Sequence, residues 1–263
     1  MIKTPPPPPS QTSAKKIAFG KIATATGHRI VLYGPGGIGK TTLTTLAPGK
    51  VAFFDMDDSL PRLQSQLEAV PEVIPCDSWS ALRMALQSEG WDGIKTIVID
   101  SVTKAEELAI AHTLATVKRD NGTSAQRIED YGYGKGYQFA FDIFLPLLGD
   151  LDRHARVGRN VILIAHDCTA NVPNPAGEDW IRYEPRLQSP TSGKGSIRLR
   201  VREWADHVLF LGYDIAVSEE GKGQGSGTRT LWPAELPHCM AKSRTTQTPI
   251  PLNGGNIWSE IIK

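Results

Sequence analysis

Between an apolar run, Arg29-Ile30-Val31-Leu32-Tyr33, and a helix-forming stretch, Thr42-Leu43-Thr44-Thr45-Leu46, stands Gly34-Pro35-Gly36-Gly37-Ile38-Gly39-Lys40-Thr41. The spacing is G-x-x-x-x-G-K-[ST], and a strand before it with a helix after it is the context in which that pattern binds phosphate. Glycines let the backbone turn so that successive N–H groups face one anion. The amino end of the helix adds partial positive charge. Lys40 is expected to reach the β- and γ-phosphates, and the Thr41 hydroxyl to ligate Mg²⁺. Gly34, Pro35, Gly36, Gly37, Ile38, Gly39, Lys40, Thr41 and Thr42 thus form the expected phosphate site, and a nucleoside triphosphate is the expected ligand.

More strands of the same kind follow. Val51-Ala52-Phe53-Phe54 ends at Asp55, Lys95 to Ile99 ends at Asp100, and Asn160 to Ala165 ends at His166. Helical spacing of apolar residues fills Leu60 to Val70, Ser78 to Glu89, Ser101 to Val117 and Gly136 to Ala155. Continuous apolar strands alternating with helices predict an α/β fold, a mainly parallel central sheet with helices on both faces. Asp206 to Gly212 reads as a further strand, Ser218 to Thr228 as a flexible hairpin tip, and residues 229–263 as short strands and a terminal helix, an antiparallel C-terminal extension. Two linkers, Asp120 to Lys135 and Asp167 to Lys194, are long for a compact domain and so read as functional or disordered. Residues 1–16, with five consecutive prolines from Pro5 to Pro9, read as an extended tail, leaving 17–263 as one domain.

Composition narrows the function classes. A net charge of +1 gives no global field toward nucleic acid or membrane, so any polyanion must meet a local patch. No apolar stretch is long enough to span a bilayer, and the first residues lack the apolar core of a signal peptide. Cys76, Cys168 and Cys239 are widely spaced and fit no metal pattern; they read as free thiols in a reducing cytoplasm.

Ligands of open parallel sheets bind at the carboxyl ends of the strands. Asp100 there suits the acid that holds Mg²⁺ beside Thr41, and it can also cap the helix that begins at Ser101. Asp55, Asp57 and Asp58 crowd after the second strand, and one of them, aimed at the γ-phosphate, would position the attacking water. His166 can sense the γ-phosphate by hydrogen bonding, or be a structural histidine at a strand end. In Ala241-Lys242-Ser243-Arg244 the two cations share one face of a strand. Spacing alone leaves open whether Lys242 and Arg244 stabilise charge on a neighbouring subunit's nucleotide or form a solvated basic edge.

Together these motifs resemble the RecA-like ATPase superfamily. Ile97-Val98-Ile99-Asp100-Ser101-Val102 resembles its Mg²⁺ strand, and Phe53-Phe54-Asp55-Met56-Asp57 its segment ending in the catalytic Glu, so the resemblance assigns that role to Asp57 with a shorter side chain. His166 falls where RecA has a Gln linking nucleotide state to a DNA-binding loop. Lys242-Ser243-Arg244 resembles the Lys-x-Arg element that hexameric helicases of the DnaB type present in trans. Over roughly residues 28–252 the chain is also similar to small phage-encoded AAA-type ATPases. Some of these are RecA-like cores acting in single-strand annealing and recombination beside a phage single-strand-binding protein. The resemblance implies ATP and Mg²⁺ as cofactors, a homo-oligomer (ring or filament), and action on single-stranded DNA in phage recombination or replication, in the host cytoplasm.

It also implies that the two long linkers face DNA. Their Tyr133, Lys135, Arg182, Arg186 and Lys194 combine cations that can track phosphates with aromatic neighbours that can stack on bases. Other classes make different demands. A GTPase would need an Asn-Lys-x-Asp stretch, which does not occur. A small-molecule kinase would use the Asp167–Lys194 segment as an arginine-bearing lid, and a nucleotide-binding scaffold would bind without turnover.

Overall fold

The computed structural model describes residues 17, 19–21, 26–190, 195–217, 223–254 and 256–262. Its frame is a sheet in the order β3-β2-β4-β5-β1-β7-β8-β9. Six of these strands are parallel: β1 (Arg29–Gly34), β2 (Lys50–Asp55), β3 (Glu72–Val73), β4 (Ile94–Asp100), β5 (Asn160–Val172) and β7 (His207–Val217). Antiparallel β8 (Gly223–Trp232) and β9 (Ile250–Pro251) extend the sheet beyond β7. The expected α/β architecture, with a mostly parallel sheet and an antiparallel C-terminal extension, is the one observed.

Alternation of side chains along each strand builds two cores. Val31, Tyr33, Phe54, Ile97, Ile99 and Leu163 point to one face, where α3 (Trp79–Gln87), α4 (Val102–Thr116), α5 (Lys135–Arg156) and α6 (Ile197–Trp204) cover them. Ile30, Leu32, Phe53, Val98, Ile162 and Leu209 point to the other, under α1 (Lys40–Thr45), α2 (Leu60–Leu63) and α7 (Trp258–Ile261). Burial on both faces is why the strands read as unbroken apolar runs. Ser78 and Ser101 start α3 and α4 by accepting from the N–H groups of Ala81 and Lys104.

Three expectations need correction. The helix read over Leu60 to Val70 stops after α2 and one 3-10 turn, Gln64–Gln66. Leu67 is already extended, with ψ 128°, Pro71 disfavours helix at Val70, and Val70 stays exposed, so the predicted last turn neither forms nor has a core to face. The Asp167–Lys194 linker is partly strand: β5 runs on to Val172 and pairs antiparallel with β6 (Trp180–Pro185) as a hairpin. The Asp120–Lys135 linker carries a 3-10 turn, Ile128–Tyr131, whose Tyr131 hydroxyl donates to the carbonyls of Thr113 and Val117. Residues 1–16, Lys194 and the 218–222 part of the predicted hairpin tip lie outside the described residues.

Candidate functional site

The strand register brings the predicted polar residues to one edge. Gly34, where β1 ends, lies opposite His166 on β5, and Asp55 lies opposite Asp100 on β4. The loop leaving Gly34 is held in a shape only glycine permits at two points. A Cβ at Gly34 would stand 2.1 Å from the Leu211 carbonyl oxygen. Gly39 has φ 101°, and a Cβ there would stand 2.7 Å from a guanidinium nitrogen of Arg229.

Lys40 opens α1 with its ammonium turned back into the loop. Nζ donates to the carbonyls of Gly34 at 2.7 Å and Pro35 at 2.8 Å, and burial draws its pKa below the usual lysine value. Thr41 Oγ1 donates to Asp100 Oδ2 at 2.7 Å. Asp100 is 3% exposed, and burial pushes its carboxyl up to about 6, with Asp57 and Asp55 adding to the rise. A buried ammonium enclosed by carbonyls and a buried carboxylate with one hydroxyl partner are each short of a counter-charge. A phosphate anion and a divalent cation supply those charges, so the residues fit a metal-bound nucleotide, with Thr41 and Asp100 as the metal station.

The three acids after β2 separate cleanly. Asp55 accepts from the backbone N–H groups of Ser59 and Leu60, both at 2.9 Å, and so starts α2. Asp58 sits at φ 51° on the exposed turn. Asp57 turns toward β5, its Oδ2 3.5 Å from His166 Nε2. Interaction with the His166 ring, opposed by burial and aided by Ser101, holds its carboxyl below the usual range. Asp100 does not cap α4; Ser101 does, which leaves the Asp100 carboxylate to Thr41.

His166 is tied to the hairpin root. Its carbonyl accepts from the Arg186 N–H at 2.8 Å, and its own N–H donates to Thr103 Oγ1, which donates to the Arg186 carbonyl. Thr103 and Arg229 escaped the sequence reading. Arg229, far downstream in a Gly-rich stretch, donates to the Ile38 carbonyl at 2.7 Å, a contact with no local signal.

The model of an AAA domain family matches residues 26–245. The chain belongs to that family. Nucleotide binding and ATPase activity are the general function that an AAA domain carries, and the phosphate loop of this one lies inside the matched span. No curated protein matches the chain. Among the described residues, no helix of this AAA domain is long and apolar enough to cross a membrane.

The remaining predicted residues of the domain are scattered. Lys242 pairs through its backbone with Val208, and Arg244 Nε lies 3.1 Å from Asp206, both at the amino ends of β1 and β7. That end is roughly 15 Å along the strand from the domain's own phosphate loop. Tyr133 and Arg186 are exposed, and Lys135 pairs with Asp120 at 2.6 Å. Arg182 departs from its expected role on the DNA-facing surface. Its side chain, 9% exposed, is held by Glu184 at 2.8 Å and Glu235 at 2.5 Å, and Glu184 also binds Arg198. That network fastens the hairpin to α6, so Arg182 is structural here.

Proposed function

We propose that this AAA domain is a Mg²⁺-dependent, RecA-like ATPase that works on single-stranded DNA. The observation that carries the reading is the position of His166 between Asp57 at the phosphate loop and Arg186 at the hairpin root. β5 is one continuous strand, so a change in the ring contact of His166 has a direct backbone route into the β5–β6 hairpin.

The surface at the end of that route supports a nucleic-acid partner. The hairpin exposes Trp180, Ile181 and Tyr183, and Arg186 is exposed at its root. Flat aromatics stack on unpaired bases without reading sequence, and a nearby cation tracks the phosphates. Tyr133 and Lys135 would extend such a strip across the other long linker.

In this reading Lys40 neutralises phosphate charge, and Asp57, its carboxylate kept ionised beside His166, orients and deprotonates the attacking water. Mg²⁺ held by Thr41 and Asp100 would stabilise charge on the phosphate oxygens. Lys242 and Arg244, too far away to act in cis, would complete the site of a neighbouring subunit in a ring or filament. A role in phage recombination or replication, in the host cytoplasm beside a single-strand-binding or annealing protein, belongs to the same reading.

The test is fluorescence anisotropy of a labelled single-stranded oligonucleotide, titrated with protein in ATP and in ADP. Tighter binding in ATP, lost in His166→Ala while ATP affinity holds, supports the coupling. Absence of DNA binding in either nucleotide would sink the DNA reading.

A further inference from the structure

The strand order sets a direction across the phosphate loop. Asp100 on β4 and His166 on β5 lie on one side of β1, and β7 and β8 lie on the other. A triphosphate with its terminal phosphate toward Asp57 and His166 therefore has its ester end toward β8. On that side a cavity of about 460 Å³ opens directly from the loop, with Gly39 and Thr42 in its wall.

We propose that this cavity holds the nucleoside of the bound triphosphate, with Arg229 at the junction of base and phosphates. The proposal rests on the ATPase reading above and goes beyond it in naming where the base sits. Four observations carry it. The cavity is continuous with the phosphate loop and lies within the size range of small-ligand pockets. Leu43, Leu46 and Leu252, backed by the buried Ile257 and Trp258, give apolar wall for the face of a flat base, and Glu68 and Asn256 give polar groups for its edge. Trp258 is locked in place because its indole N–H donates to the Leu43 carbonyl at 3.0 Å, so the wall is fixed before a ligand arrives. Arg229 packs over Gly39 and donates to the Ile38 carbonyl, which puts a planar cation at the mouth shared by loop and cavity. A guanidinium there can meet a phosphate oxygen with one edge and a ring with its face.

The C-terminal segment thereby gains a task. Leu252 N–H bonds to the Arg229 carbonyl at 2.8 Å, so the segment after β9 and Arg229 move as one wall against α1. Base recognition in this protein would depend on residues nearly two hundred positions from the phosphate loop.

The test has two parts. Irradiation of the wild-type protein with 8-azidoadenosine triphosphate, followed by tryptic mapping, reads where the base lies; label on the peptide of residues 245–263, suppressed by ATP, is the expected result. Titration of wild type and Leu252→Asn, a neutral change, with ATP and with inorganic tripolyphosphate reads the base contribution. ATP is expected to weaken about tenfold in the variant with tripolyphosphate unchanged. ATP-suppressible label on other peptides, or equal losses for both ligands, would overturn the base site and leave the phosphate site standing. Wild-type protein that binds neither ligand would overturn both.

Discussion

The Thr41 hydroxyl donates to Asp100 across 2.7 Å, joining the first turn of α1 to the end of β4 over 59 positions of sequence. Asp100 is buried, and its carboxyl is pushed up to about 6 by that burial, so the hydroxyl is part of what allows a charge there. The pair is placed before any ligand arrives, which on the proposed reading would lower the cost of assembling a metal station when nucleotide binds.

Replacing Asp100 by Asn keeps the volume and removes the charge. Turnover by Asp100→Asn should fall on the order of a hundredfold or more, with ATP affinity in the absence of Mg²⁺ within about threefold of wild type. Lys40→Ala should lose affinity and turnover together. Phosphate release and calorimetric titration distinguish the two patterns, and a parallel loss in both variants would mean that Asp100 has no separate metal role.

Asp57 and His166 should separate chemistry from signalling. Asp57→Asn is expected to lower kcat by on the order of a hundredfold or more while leaving ATP affinity nearly unchanged, because in the proposed mechanism it would act on the water and not on the nucleotide. His166→Ala should keep most of the DNA-independent rate. A loss in His166→Ala as large as that in Asp57→Asn would make the pair a catalytic dyad and not a link to the hairpin.

The parts of this fold that were legible in the sequence are those whose cause is local. The Gly34–Thr41 loop, the runs ending at Asp100 and His166, and α5, observed at Lys135–Arg156 despite Pro146, are set by neighbours in sequence. The β5–β6 hairpin was missed. Asp167 to Val172 carries the period-two alternation of a strand, but its partner is Trp180–Pro185, held by the Arg182–Glu184–Arg198 and Arg182–Glu235 pairs that only the folded chain assembles. Arg229 met Gly39 in the same way, by tertiary packing across 191 positions from its acceptor Ile38. Among the crowded acids, the resemblance pointed to Asp57, and Asp55 is seen bonded to the start of α2.

Arg244 is 69% exposed on its side chain and lies at the opposite end of β1 from the loop. Arg244→Ala should reduce turnover about a hundredfold with ATP affinity almost unchanged, and the specific activity of wild type should rise with protein concentration as subunits meet. Equal loss of affinity and turnover, or activity strictly linear in protein, would remove the neighbouring-subunit role.

Glu106 supplies a pH dependence independent of the nucleotide. It is 9% exposed on α4, accepts from the Gln188 N–H at 2.7 Å, and is raised from 4.5 to about 7 by burial. With the folded value above the unfolded one, the native state holds the proton more tightly. Its contribution is fully present below pH 4.5 and is lost as pH rises toward 7, a loss of roughly 3 kcal/mol. Glu106→Gln keeps the acceptor and removes the charge, so Tm should rise at pH 8 and the gap from wild type should close by pH 5. A variant less stable than wild type at pH 8 would show that Glu106 is held ionised by its partners.

ATP hydrolysis by the purified protein, with and without single-stranded DNA at low and high salt, reads whether this domain is a DNA-coupled ATPase. Hydrolysis should require Mg²⁺, rise severalfold on adding DNA, and lose that increase at high salt as phosphate contacts are screened. Steady hydrolysis indifferent to DNA at both salt concentrations would contradict that coupling.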